Sequence, residues 1–137
     1  SMMVTPVDMD IQYSGGALGA YNGKPVYCYL FGPGIASTIT SASTFTTAKT
    51  HGLSVGASTI ASGSFSGASN ATVAKYFTAI GHQNWVYNSY IYSGATADVA
   101  CFVDTDLNGN PTAGEPYLKA TSGTTGSTIT VTSSGTL

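Results

Sequence analysis

Along the chain, apolar residues fall in short runs that alternate with polar ones, and Gly, Asn and Pro separate the runs. Residues 7–13 (Val-Asp-Met-Asp-Ile-Gln-Tyr) alternate without a miss, the pattern of a strand with one buried face. Ser14-Gly15-Gly16 interrupts it, and Asn22-Gly23 is a strong turn signal. Residues 25–31 carry bulky side chains on both faces and predict a central strand, ended by Gly32-Pro33-Gly34. Residues 85–92, 99–103, 116–120 and 128–132 predict further strands. Residues 35–67 are rich in Ser, Thr, Ala and Gly; they predict two or three short strands near 35–40, 53–58 and 62–66, with a long loop as the alternative. In residues 71–80 the spacing of Val73, Phe77 and Ile80 predicts a short helix, with Asn70 as its cap and Gly81 as its stop. The β-branched Thr72 and Thr78 oppose it.

Closely spaced strands without a βαβ rhythm predict an all-β fold with at most one short helix, arranged as an antiparallel β-sandwich of about seven strands. We expect residues 1–3 to be a disordered scar of protease cleavage after expression, residues 4–132 to be a single sandwich domain, and residues 133–137 to be a frayed tail. A chain of 137 residues buries roughly two-thirds of its unfolded surface and folds without a staple. Only 7% of residues are charged, yet 42% are hydrophobic, which sets the chain apart from disordered polar sequences. Solubility resting on hydroxyls and amides is typical of exported proteins.

The cations are Lys24, Lys49, Lys75 and Lys119, with no Arg. No basic stripe exists to neutralise phosphates, so nucleic acid and anionic lipid are not expected partners. No apolar run approaches the roughly 20 residues of a membrane span, so direct membrane insertion is not expected. Cys28 and Cys101 each lie in a strand-like run and fit no zinc or redox spacing. Two readings stand: two small buried hydrophobes, or a cross-strand disulfide if the strands are neighbours in an oxidising compartment.

The strongest chemical pattern is Asp104-Thr105-Asp106-Leu107-Asn108-Gly109-Asn110-Pro111-Thr112-Ala113-Gly114-Glu115. Ca²⁺ takes six to eight oxygens at about 2.3–2.6 Å, and a short loop supplies them when alternate side chains point inward. Asp104, Asp106 and Asn108 stand at the first, third and fifth positions of such a loop, and Gly109 stands where the chain must turn. Asn110 would offer its backbone carbonyl, Thr112 a direct or water-mediated contact, and Glu115 the closing bidentate carboxylate. Asp98, Asp104, Asp106 and Glu115 are four of the six acids in the chain, and a divalent cation would relieve their mutual repulsion. The alternative is a metal-free polar turn built from Asx-turns, with Gly109 and Gly114 at positive φ. Strands flank this loop where an EF-hand has helices, so it is expected to be a structural clip and no conformational switch.

Residues 99–110, followed by Ala113-Gly114-Glu115-Pro116-Tyr117, resemble the strand, D-x-[ND]-x-N-G and G-E-P signature of transthyretin-like (prealbumin-like) and Cna-B or SdrD-B-like bacterial surface modules. Residues 24–31 resemble their early core strand. The resemblance implies a seven-stranded prealbumin-like Greek-key sandwich, exported to the cell surface, often in tandem with neighbouring domains of the same polypeptide. It also implies Ca²⁺ at this loop in some members.

Trp85, Tyr87, Tyr90 and Tyr92 form the densest aromatic group, with Gln83, Asn84 and Asn88 nearby. They would stack on sugar rings if exposed, or pack the core if buried. Asn70-Ala71-Thr72 is a glycosylation sequon. Nothing sets His51 or His82 beside a nucleophile, so catalysis is not expected. The function expected is that of an extracellular structural or adhesive module with a Ca²⁺ loop, its outside partner a glycan or a host or cell-surface protein. The alternative is a carbohydrate-binding module using the Trp85 region.

Overall fold

The computed structural model describes residues 7–8, 10–13, 18–32, 34–61, 64–65, 76–77, 96–124 and 128–137. The strands are β1 (Val7–Asp8), β2 (Asp10–Tyr13), β3 (Pro25–Phe31), β4 (Leu53–Ala61), β5 (Ser64–Phe65), β6 (Tyr76–Phe77), β7 (Thr96–Val103), β8 (Pro116–Thr124) and β9 (Thr128–Thr136), with one α-helix, α1 (Ala42–Lys49). The body of the sheet is antiparallel, in the order β4-β3-β7-β8-β9. β5 extends it beside β4, and β2 extends it beside β9 in the parallel sense, a departure from the all-antiparallel expectation. β1 and β6 form a separate two-stranded ladder. Among the described residues the fold is therefore β-rich with one short α-helix.

The bulky residues of β3 mark a strand with neighbours on both sides, β4 and β7. One face of the sheet carries Tyr27, Tyr29 and Phe31 of β3, Ala100 and Phe102 of β7, and Tyr117 of β8. Against it pack Ile39, Phe45 and Ala48. The rings interlock edge to face: Phe45 stands 5.3 Å from Phe102 at 79° and 5.8 Å from Tyr29 at 74°. Such aromatic pairs add about 0.5–1.5 kcal/mol each beyond their burial. The opposite face carries Val26, Cys28, Leu30, Val99, Cys101, Val103 and Leu118, all buried, and by register Ile129 and Val131 join them.

Cys28 and Cys101 face each other directly across β3 and β7 and form a disulfide, with Cα atoms 4.1 Å apart. Of the two readings open in the sequence, the cross-strand disulfide is the one found, and the bonded cysteines are fully buried.

Several expectations need correction. Residues 35–40 form no strand; Ala36–Thr38 is a turn of 3₁₀ helix. The helix lies at Ala42–Lys49, where the sequence pattern gave no signal strong enough to place it. Ser41 caps it by accepting from the Thr44 N–H, while the Thr44 hydroxyl accepts from the Ser41 N–H. Phe45 and Ala48, three apart, form its buried edge. After the helix the chain passes so close to β3 that a Cβ at Gly52 would run into the Phe31 ring. The helix expected over residues 71–80 fails at Tyr76–Phe77, which pair as strand with Val7–Asp8; the rest of that stretch lies outside the described residues. β9 continues past Thr132 to Thr136, so residues 133–136 are strand and no frayed tail.

Asp98 is fully buried on the helix-side face of β7, and its Oδ2 accepts from the N–H groups of Gly34 (2.9 Å) and Ala36 (3.0 Å). It thus pins the crossover that delivers α1 to the sheet. Among the described residues no helix is long and apolar enough to cross a membrane.

The disulfide closes a segment with a sequence separation of 73. On chain-entropy grounds this stabilises the fold by ~4 kcal/mol. The double variant Cys28→Ala/Cys101→Ala should lose stability of that order in urea unfolding, and a loss below about 1 kcal/mol would contradict the assignment. Asp98→Ala orphans the buried Ala36 amide and the part-buried Gly34 amide and should cost roughly 1–3 kcal/mol by the same measurement.

Candidate metal centre

The loop 104–115 joins β7 to β8, and its ends are fixed before any ligand is considered. The Asp104 N–H donates to the Pro25 carbonyl (2.8 Å), so Asp104 continues the β3–β7 ladder by one rung. Glu115 immediately precedes β8. Both carboxylate residues are 1% exposed, while Asp106 is exposed on the rim. Carboxylate oxygens of Asp104, Asp106 and Glu115 all lie within 4.8 Å of one another. Two oxygens bound to one hard cation lie at most about 5 Å apart, so this spacing suits a shared ion.

Backbone amides hold the carboxylates in place. Asp104 accepts from Asn108 N–H (3.2 Å) through Oδ1 and from Gly109 N–H (2.8 Å) through Oδ2. Glu115 accepts from Thr105 N–H (2.9 Å) and Thr112 N–H (2.7 Å), one on each oxygen. Asp106 accepts from Asn108 N–H at 3.3 Å. Each oxygen bound in this way keeps lone-pair capacity for an ion. Inward-facing amides of this kind also favour negative charge in the loop.

The three neutral members of the expected ligand set form a chain of contacts along the rim. Asn108 Nδ2 donates to Thr112 Oγ1 (3.0 Å), and Thr112 Oγ1 donates to the Asn110 carbonyl (3.2 Å). Asn110 Oδ1 accepts from Lys49 Nζ (3.2 Å), which ties the last turn of α1 to the loop. The Asx-turns of the alternative reading are present: Asn108 and Asn110 each donate their N–H to the acid or amide two residues before. Gly109 (φ 77°) and Gly114 (φ 90°) have the positive φ expected of them. Leu107 shares this region at φ 59° and is 63% exposed, an uncommon conformation for a leucine that nothing in the sequence marks.

Asp98 does not belong to the cluster, although it is close in sequence. It sits at the other end of β7, bonded to the Gly34–Ala36 backbone. His51 is exposed in the turn after α1 and lines a shallow apolar recess with Ile35, Thr38, Thr44, Thr47 and Ala48. Trp85, Tyr87, Tyr90 and Tyr92, with His82 and the sequon at Asn70, lie outside the described residues.

The carboxylates divide their proton affinity. Burial pushes Glu115 above the ordinary glutamate range, and the Asp106 charge adds to this, against the pull of the Thr112 and Thr105 amides. Desolvation pushes Asp106 up as well, but its hydrogen bonds with Thr112, the Asn108 N–H and the neighbouring carboxyl groups outweigh it and leave Asp106 below its usual range. Neighbouring acids that repel one another separate in this manner. A cation held by the same oxygens would take over the role of the retained proton. All donors are oxygens, with no His or Cys among them, which matches hard cations and disfavours zinc or copper.

Glu115 holds its proton more tightly folded than unfolded. In the metal-free protein its contribution to stability is present at acid pH and is lost as pH rises through its folded value. Melting curves in chelator should therefore show the wild type losing ground to Glu115→Gln as pH rises past the ordinary glutamate range; parallel curves would contradict this.

Comparisons with protein-family models, with curated proteins and with solved structures returned no match, so the site is read from its own geometry.

Proposed function

We propose that this chain is a non-catalytic extracellular module of β-sandwich type, structural or adhesive in role and one unit of a larger surface or secreted protein, whose loop 104–115 binds Ca²⁺ as a structural clip. The observation that carries the reading is the convergence of Asp104, Asp106 and Glu115, two of them buried, at a spacing suited to one ion. The residue order of the loop supports Ca²⁺ over Mg²⁺. It offers carboxylate, amide, hydroxyl and carbonyl oxygens on an irregular frame, and Ca²⁺ accepts six to eight such ligands in flexible geometry, whereas Mg²⁺ demands a near-ideal octahedron. The buried disulfide supports an oxidising compartment. Burial of both faces of the central strands supports a second covering layer, hence a sandwich. The transthyretin-like or Cna-B-like character remains a proposal on the loop and the early strand alone.

The clip would act by bracing the β7–β8 connection. Asp104 belongs to the end of one strand and Glu115 to the start of the next, so one ion would bridge both. Calorimetric titration of the chelator-stripped protein should show Ca²⁺ uptake. Ca²⁺ at about ten times its dissociation constant should raise the melting midpoint by roughly 5 °C. Asp104→Ala should abolish the shift and Asp98→Ala should preserve it. An unchanged midpoint at millimolar Ca²⁺ would refute the metal assignment.

A further inference from the structure

The far end of β9 returns to this loop. The Leu137 N–H donates to the Glu115 carbonyl (2.7 Å), and the Gly114 N–H donates to the Leu137 oxygen (2.6 Å). Leu137 is half-buried and packs against the cluster of Phe31, Phe45, Phe102 and Tyr117. Glu115 thus works in two directions. Its side chain faces the acidic cluster, and its backbone carbonyl holds the residue that follows the last strand.

We propose that the cation site governs the docking of the β9 end: ion binding at Glu115 clamps Leu137 onto the loop, and docking of Leu137 in turn tightens the ion. This rests on the Ca²⁺ reading above. The physical link is short. An ion drawing the Glu115 carboxylate towards Asp104 and Asp106 fixes the backbone at 114–115, and both hydrogen bonds to Leu137 come from that backbone. Without the ion, amide hydrogen bonds alone hold the Glu115 carboxylate, and the peptide units at 114–115 lack the additional brace. Coupling of this kind is reciprocal, so it is readable from either side.

The test uses the chelator-stripped protein and Ca²⁺ alone. Amide hydrogen exchange at Leu137 and Gly114, followed by NMR, should slow by about fivefold or more on saturation with Ca²⁺. Leu137→Ala should weaken Ca²⁺ binding by a similar factor in calorimetry, whereas Thr130→Ala, an exposed change elsewhere on β9, should leave it unaltered. Ca²⁺ uptake with unchanged exchange at both amides overturns the clamp and leaves the metal site standing. Absence of uptake overturns the cation reading and the clamp with it.

Discussion

Residues 98–104 are buried without a break, so the strand they form has to be covered on both faces and paired on both edges. The rest of the described structure answers that demand. β3 and β8 take the edges, and α1 with the Ala36–Thr38 turn takes one face. Apolar side chains satisfy most of the strand, but Asp98 and Asp104 at its ends are acids without access to water. Each is solved by backbone amides: Asp98 by Gly34 and Ala36, Asp104 by Asn108 and Gly109. Two acids of the same strand thus organise two different loops, one structural and one suited to a cation.

This arrangement explains why the candidate site has a rigid half and a soft half. Asp104 and Glu115 grow out of strand ends and are buried, so their positions follow from the sheet register. Asp106, Asn108 and Asn110 sit on an exposed bow of chain stiffened by its own hydrogen bonds and by the reach of Lys49 from α1. A hard cation suits such a frame, because its oxygen shell tolerates adjustment on one side when the other side is fixed.

The sequence was most legible where one physical rule acted alone. Bulk on both faces identified β3, and the Asp-Asn-Gly spacing identified the loop, because burial of a central strand and turn geometry impose those patterns directly. It was least legible where tertiary contact overrode weak local preference. Helix α1 has Thr at three of its eight positions and only Phe45 and Ala48 to bury; its cap uses Thr44 where Glu or Gln is usual, so the signal was faint. β9 continues past Thr132 through Ser133, Ser134 and Gly135, residues with little strand preference, because β8 pairs with it and Leu137 anchors its end. Asp98 was grouped with the loop acids because sequence distance hides direction. Six residues of extended strand, about 20 Å, separate it from Asp104.

One feature of the centre bears on how the chain would carry tension. The Cys28–Cys101 bond joins two adjacent strands across a sequence separation of 73. A pull applied along the polypeptide on either side passes through the sulfur bridge and bypasses everything between. The Ala42–Lys49 helix and strands β4, β5 and β6 are thereby excluded from extension while the bond is intact. Among the described residues, β1, β2 and residues 25–27 of β3 before Cys28, and residues 102–103 of β7, the loop 104–115, β8 and β9 after Cys101, remain on the loaded path. There β2 lies parallel to β9, so force drawn from the start of one and the end of the other loads their hydrogen bonds in shear, all at once, and does not unzip them singly.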